Sequence, residues 1–155
     1  MRPGVRLGVD VGKVRVGVAR SDPHGMLATP VETVARGTGD TERIRALVVE
    51  FEVTEVIVGL PLALSGGESA STGDARGFAA SLARELAVPV RLVDERLSTV
   101  SAHSAMRASG RSQKQSRSVI DQVAAVIILQ HALDVERSGA QAPGVLVSPD
   151  ERPGT

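Results

Sequence analysis

Residues 6–22, "RLGVDVGKVRVGVARSD", decide how the rest of the chain is read. Two Val-rich runs flank Gly12-Lys13, a Gly-X pair suited to a two-residue turn, so the stretch predicts a β-hairpin. In that register Val11 faces Val14, Asp10 faces Arg15, Val9 faces Val16 and Gly8 faces Gly17. Strand alternation then puts Leu7, Val9, Val11, Val14, Val16 and Val18 on one face, and Gly8, Asp10, Arg15, Gly17 and Ala19 on the other. The first face is core. The second is nearly bare, as expected where a ligand or another backbone comes close. Asp10 stands in it, and a carboxylate that loses water costs several kcal/mol or changes its pKa unless something pairs with it.

Working outward, "LATPVETVA" (27–35) predicts a third strand, placed at the sheet edge by Pro30. Ile44, Leu47, Val48 and Phe51 recur at helical spacing within residues 40–52. "EVIVGLP" (55–61) has the short apolar run of a strand buried on both faces. A Gly- and Ser-rich loop follows, then a helix starting at a Ser71/Asp74 capping pair, with Ala75, Phe78, Ala79, Leu82, Ala83 and Leu86 as its apolar stripe. "VPVRLVDE" (88–95) predicts a fifth strand, and a helix is expected from Ser98 to Ala108. After a polar linker, the last helix carries the stripe Ile120, Val123, Ala124, Ile127, Ile128 and His131. From Ser138 onward the Pro, Gly and polar content predicts a loose tail. The expected fold is α/β: a mixed five-stranded sheet, an antiparallel meander of three strands followed by parallel strands, with helices on both faces. Residues 1–137 form the expected domain and 138–155 the tail.

The 155 residues suit one domain with a full core, and too little chain remains for two lobes that close on a ligand. With 18 basic and 18 acidic side chains, overall charge points to no nucleic-acid or membrane partner, so only local clustering could. The absence of Cys excludes a disulfide framework, a thiolate nucleophile and zinc-finger ligands, and His24, His103 and His131 are too scattered for a histidine metal site. No apolar run approaches the ~20 residues of a membrane helix, and Asp10 and Lys13 interrupt any signal-peptide core, which predicts a soluble, cytoplasmic protein. Tyr and Trp are absent, so base stacking on aromatic rings contributes little to any nucleic-acid grip.

Three acids stand where the predicted elements would gather them: Asp10 in the first strand, Glu95 ending the fifth, and Asp121 early in the last helix. Convergent carboxylates bind hard cations such as Mg²⁺ or Mn²⁺. Two such ions held ~4 Å apart hydrolyse a phosphodiester without a nucleophilic side chain. Each acid also has a plainer reading: Asp10 pairs with Arg15 across the hairpin, Asp121 caps a helix with Ser118, and Glu95 faces solvent at a strand end. Between Glu95 and Asp121 lie 25 residues without an acid, including Arg96, Arg107, Arg111, Lys114 and Arg117. Those side chains are placed to neutralise backbone phosphates. As a solvated loop they would merely balance the acidic helix.

"VDVGKVRVGVA", "VIVGLPLALSGGES", "VDERLSTVSA" and "VIDQVAAVIIL" resemble, in order and spacing, the motifs of the YqgF/RuvX family of bacterial proteins. The resemblance implies a ribonuclease H-like fold and a nuclease that either resolves Holliday junctions or matures the 5′ end of precursor 16S rRNA. It implies that Asp10, Glu95 and Asp121 are the metal-binding acids and that Arg15 and Arg96 are basic site residues. One position departs from the pattern: Val14 stands where the family often carries Lys or Arg, with Lys13 one residue earlier. The expected cofactor is Mg²⁺ or Mn²⁺. The expected partners are structured RNA, branched DNA and pre-ribosomal particles, with monomer and homodimer both open. A nucleic-acid or ribosome-binding module without turnover is the alternative, and a kinase- or actin-type ATPase would need a second lobe that this length does not supply.

Overall fold

The structure, a computed structural model, describes residues 2–63, 65–95, 113–139 and 141–148. The elements run β1 (Val5–Val11), β2 (Arg15–Ser21), β3 (Ala28–Ala35), α1 (Asp40–Glu50), β4 (Val53–Leu60), α2 (Ala70–Glu85), β5 (Val90–Asp94), α3 (Gln113–Gly139) and β6 (Val145–Leu146). The sheet order is β3-β2-β1-β4-β5-β6. The first three strands form the expected antiparallel meander, and β1, β4 and β5 run parallel. The sheet therefore has six strands rather than five. The sixth comes from the segment read as tail: Val145 pairs with Leu92 and Leu146 with Arg91. The helix expected over 98–108 lies outside the described residues.

The hairpin turns one residue later than predicted. Gly12 N–H donates to the Arg15 carbonyl at 2.9 Å, leaving Lys13 and Val14 at the tip. The pairs are Val11 with Val16, Asp10 with Gly17 and Val9 with Val18. Every cross-strand partner thus moves by two positions. A shift of two leaves the paired side chains on their predicted faces, but it moves Val14, expected in the core, to the exposed tip and removes Arg15 from opposite Asp10.

Each face of the sheet buries its own cluster. Leu7, Val9, Val16, Val18, Val56 and Val58 pack against Ile44 and Leu47 of α1 and Phe78, Ala79 and Leu82 of α2. The helix α2 starts two residues before the predicted cap: Ser69 is the N-cap, with Thr72 completing the capping box and donating to the Pro61 carbonyl. On the opposite face, Ala19, Ile57 and Val93 meet Ala125, Ile128, Leu129, Ala132 and Leu133 of α3. The buried stripe of α3 is rotated from the predicted one, with Val123 and Ile127 half-buried and His131 exposed. Among the described residues no helix is long and apolar enough to cross a membrane.

The bare face of the hairpin is ground cleared for α3. A Cβ on Gly17 would lie 1.9 Å from the Asp121 carbonyl oxygen, and one on Gly8 would lie 2.7 Å from Leu129 Cβ. Glycine lets the backbone of α3 lie directly on the sheet, which fixes Asp121 beside the strand that carries Asp10.

At the far end of α3, about 22 Å along its axis from Asp121 at 1.5 Å per residue, five charged side chains are knitted together. Arg2 reaches Glu55 (2.9 Å) and Glu136 (2.6 Å), Arg6 reaches Glu136 (3.2 Å), and Arg91 reaches Glu55 (2.9 Å). Arg6, Glu55 and Glu136 are almost fully buried. Burial works to raise the Glu136 carboxyl pKa, but the Arg2 hydrogen bonds outweigh it and hold the group below the usual range. These contacts pin the C-terminal half of α3 and the N-terminal residues to the sheet.

Candidate metal and nucleic-acid site

The carboxyl ends of β1, β4 and β5 meet beside the point where the chain leaves β1 for β2 on one side and later returns as β4 on the other. Open α/β sheets favour ligand sites at such a place. Asp10 is the next-to-last residue of β1 and Glu95 follows directly after β5, its N–H donating to the Leu60 carbonyl at 3.3 Å. Strand β4 lies between them, so β1 and β5 are two strand spacings apart, about 9.6 Å, and the side chains must reach across β4 to meet. Gly59 opens that path: a Cβ there would stand 2.3 Å from Glu95 Oε2. Glu95 is buried and hydrogen-bonds Asp10 across it.

Asp121 supplies the third carboxylate. The Asp10 carboxyl is raised from 3.8 to about 6, first by burial and next by the negative charge of Asp121, while the Glu95 hydrogen bond opposes the rise. Arg15 does not meet Asp10: its Nε donates to Asp121 Oδ2 at 2.9 Å, which corrects the plainer reading of Asp10 as half of a hairpin ion pair. Asp10, Glu95, Asp121 and Arg15 are thus brought together, and Lys13 is exposed at the hairpin tip.

Arg96, Arg107 and Arg111 lie outside the described residues, as does His103. Lys114 and Arg117 belong to the first turns of α3, but their side chains also lie outside them. The polar segment read as a linker is therefore helical from Gln113 onward.

Sequence reading missed Arg36. Its Nη1 donates to the Gly12 carbonyl and to Asp74 Oδ2, both at 2.8 Å, and its guanidinium lies 5.2 Å from the Phe78 ring centroid. It braces the hairpin turn against α2, and hydrogen bonding to Asp74 outweighs burial to raise its pKa further. Gly59 was missed as well. Its signal was an isolated glycine within an apolar strand, which marks a close approach.

The donor set is all carboxylate oxygen, the chemistry that suits Mg²⁺ and Mn²⁺. Three carboxyls stand beside a single guanidinium, that of Arg15, so these residues fit a divalent cation. Among the described residues no three ligating side chains are already assembled around one point, and Asp121 is engaged by Arg15.

Known proteins resemble the chain over most of its length. It is 63% identical over 150 residues to a protein of Clavibacter michiganensis subsp. michiganensis named "Putative pre-16S rRNA nuclease", covering 95% of this chain and 93% of the relative. Proteins of the same name are 62% identical in Leifsonia xyli subsp. xyli, covering 96% of this chain and 97% of the relative, and 57% identical in Thermobifida fusca, covering 95% and 98%. The fold matches a solved structure described as "T. thermophilus RuvC in complex with Holliday junction substrate" with a TM-score of 0.52 at 21% identity, over 90% of this chain and 99% of that one. That likeness bears out the ribonuclease H-like architecture read from the motifs. The sequence model of the family described as "RuvX: Holliday junction resolvase" matches residues 4–135, and the chain belongs to that family.

Proposed function

We propose that the protein is a divalent-metal-dependent nuclease in which Asp10, Glu95 and Asp121 hold Mg²⁺ or Mn²⁺ and Arg15 and Lys13 receive the phosphodiester backbone. The observation that carries this reading is the gathering of three acids from distant parts of the chain: Asp10 at the end of β1, Glu95 buried over Gly59 after β5, and Asp121 laid on Gly17 of β2. Like-charged carboxyls kept close in a partly buried pocket are costly unless a cation is their working partner. When bound, the cation supplies positive charge and Lewis acidity where charge develops on the phosphodiester. Burial and the Asp121 charge raise the Asp10 carboxyl, which must ionise to hold a cation, so loading favours neutral to alkaline pH. Ile128 packs over Gly59 beside the Glu95 carboxyl.

The substrate we assign is structured RNA, cut in 5′-end maturation of precursor 16S rRNA, a reading supported by the name shared by the similar proteins. It places the protein in the cytoplasm among pre-ribosomal particles, with the basic residues Arg96, Arg107, Arg111, Lys114 and Arg117 as further phosphate contacts. A second reading, cleavage of branched DNA, is favoured by the family description. Incubating the purified chain and Mn²⁺ with a precursor 16S rRNA fragment and with a four-way DNA junction separates them. Cleavage of the RNA alone supports the first reading and of the junction alone the second. Cleavage of neither, with Asp10→Asn indistinguishable from wild type, overturns both.

A further inference from the structure

We infer that Arg15 is an exchangeable counterion: it holds Asp121 until a substrate phosphate takes its guanidinium, and only then does Asp121 join Asp10 and Glu95 around the cation. The inference rests on the metal-nuclease reading above and extends it to how the site is loaded.

The ion pair joins Arg15 Nε to Asp121 Oδ2 at 2.9 Å, with the Arg15 side chain 36% exposed and that of Asp121 20% exposed. Arg15 is the first residue of β2, directly after the hairpin tip, and its partly exposed guanidinium can be reached by a nucleic-acid backbone. Asp121 is placed differently. Its backbone lies on Gly17, so the carboxylate stays beside Asp10 whichever partner Arg15 takes. A guanidinium binds carboxylate and phosphate through the same fork of N–H donors, so exchanging one for the other preserves its charge-assisted hydrogen bonds. Asp121, once released, adds its full charge beside Asp10 and the buried Glu95 carboxyl. That surplus of negative charge is what a divalent cation relieves. Phosphate and cation therefore bind cooperatively, and each must raise the affinity of the other by the same factor. A site built this way stays weakly loaded away from its substrate.

The test uses binding alone. Mn²⁺ is titrated calorimetrically into wild type, Arg15→Gln and Lys13→Gln without nucleic acid. Arg15→Gln is expected to bind Mn²⁺ roughly 5- to 10-fold more tightly, at the low end of usual coupling between sites. Lys13→Gln, which removes an equal charge close by, is expected to change affinity less than about twofold, as an exposed, screened charge does. In EDTA, binding of a labelled precursor rRNA fragment is then followed by anisotropy. Asp121→Asn frees Arg15 and is expected to tighten RNA binding about fivefold in the wild-type background but not in Arg15→Gln, a difference that simple loss of a negative charge would not produce. Should Arg15→Gln fold poorly, the ¹⁵Nε–H resonance of Arg15 in the wild-type protein answers instead, since it must move when RNA is added in EDTA. Equal Mn²⁺ affinity in Arg15→Gln and Lys13→Gln, an Asp121→Asn effect that persists without Arg15, or an unmoved resonance each overturns the exchange while leaving the nuclease reading intact. Failure of every variant and of wild type to bind Mn²⁺ overturns the nuclease reading itself.

Discussion

Replacing Asp10 with Asn should stabilise the protein at neutral pH while abolishing cleavage. The carboxyl has a pKa of about 6 in the fold against 3.8 in a free chain, so the folded state binds its proton more tightly than the unfolded one. A raised carboxyl contributes fully to stability below the unfolded value, and that contribution is lost as pH climbs through the folded value. At about 1.36 kcal/mol for each tenfold change in proton affinity, the ionised group costs about 3 kcal/mol at pH 7.5 and nothing below pH 3.8. Asn has no charge to lose, and its amide can still donate to Glu95. The variant should therefore melt roughly 6 to 12 °C above wild type at pH 7.5, using the 2 to 4 °C per kcal/mol typical of this size. At pH 4 in the same EDTA buffer the gap should close. Thermal melts at the two pH values, with urea titrations beside them, provide the measurement. A variant less stable than wild type at pH 7.5, or a gap that does not vary with pH, refutes the picture of a carboxylate held against its own electrostatics.

Other perturbations read other parts of the structure. Gly17→Ala drives a methyl to 1.9 Å from the Asp121 carbonyl oxygen, a backbone atom that cannot turn aside, and should cost at least the ~3 kcal/mol at the upper end of overpacking. Gly73→Ala, with nothing within 4 Å of its added methyl inside α2, should instead gain about 0.5 to 1 kcal/mol; urea midpoints of the two variants compare them directly. Glu136→Ala leaves the buried Arg6 guanidinium without its carboxylate and should cost about 3 to 5 kcal/mol, while cleavage rates at temperatures where the variant stays folded remain close to wild type. Arg36→Ala removes the brace between the hairpin turn and α2, so amide exchange at Gly12 and Arg15 should accelerate before any global loss of stability appears.

The strands and the first two helices were legible because their periodicities were: alternation in residues 5–21 and helical spacing in Ile44, Leu47 and Val48 are direct consequences of one-sided burial. The register was not. Alternation encodes only the parity of pairing, and the turn could lie at Gly12-Lys13 or at Lys13-Val14 without moving any side chain to the other face. The partner of Arg15 followed from that register and was therefore misread too. The face of α3 was obscured because residues 123–129 are apolar all round, so hydrophobicity could not choose among its sides. The glycines chose: the backbone of α3 at Asp121 and Ala125, with Leu129 Cβ, lies on Gly17 and Gly8. Pro143 and Gly144 made the C-terminal segment read as tail, although the Val-Leu-Val run after them carried the signal of a strand. Asp10 and Glu95 stood out because each sits at a strand end; Asp121 stood out because the last helix was expected to begin just before it, whereas that helix begins at Gln113, about two turns earlier. The Arg2, Arg6, Glu55, Arg91 and Glu136 network was not, because buried ion pairs look in sequence like ordinary surface charge.

Helix α3 supplies Asp121 and is also the roof over the glycine-lined face of β1 and β2, two strands made at the opposite end of the chain. During synthesis those first strands must wait, with their floor exposed, until nearly the whole polypeptide has been made. Such long-range closure slows folding, and it lengthens the time in which unpaired strands can aggregate. It also imposes an order on events at the ribosome: the third carboxylate cannot reach the other two before its own helix has emerged. If the three acids form the catalytic set proposed above, a nascent chain cannot cut RNA close to where it is being made.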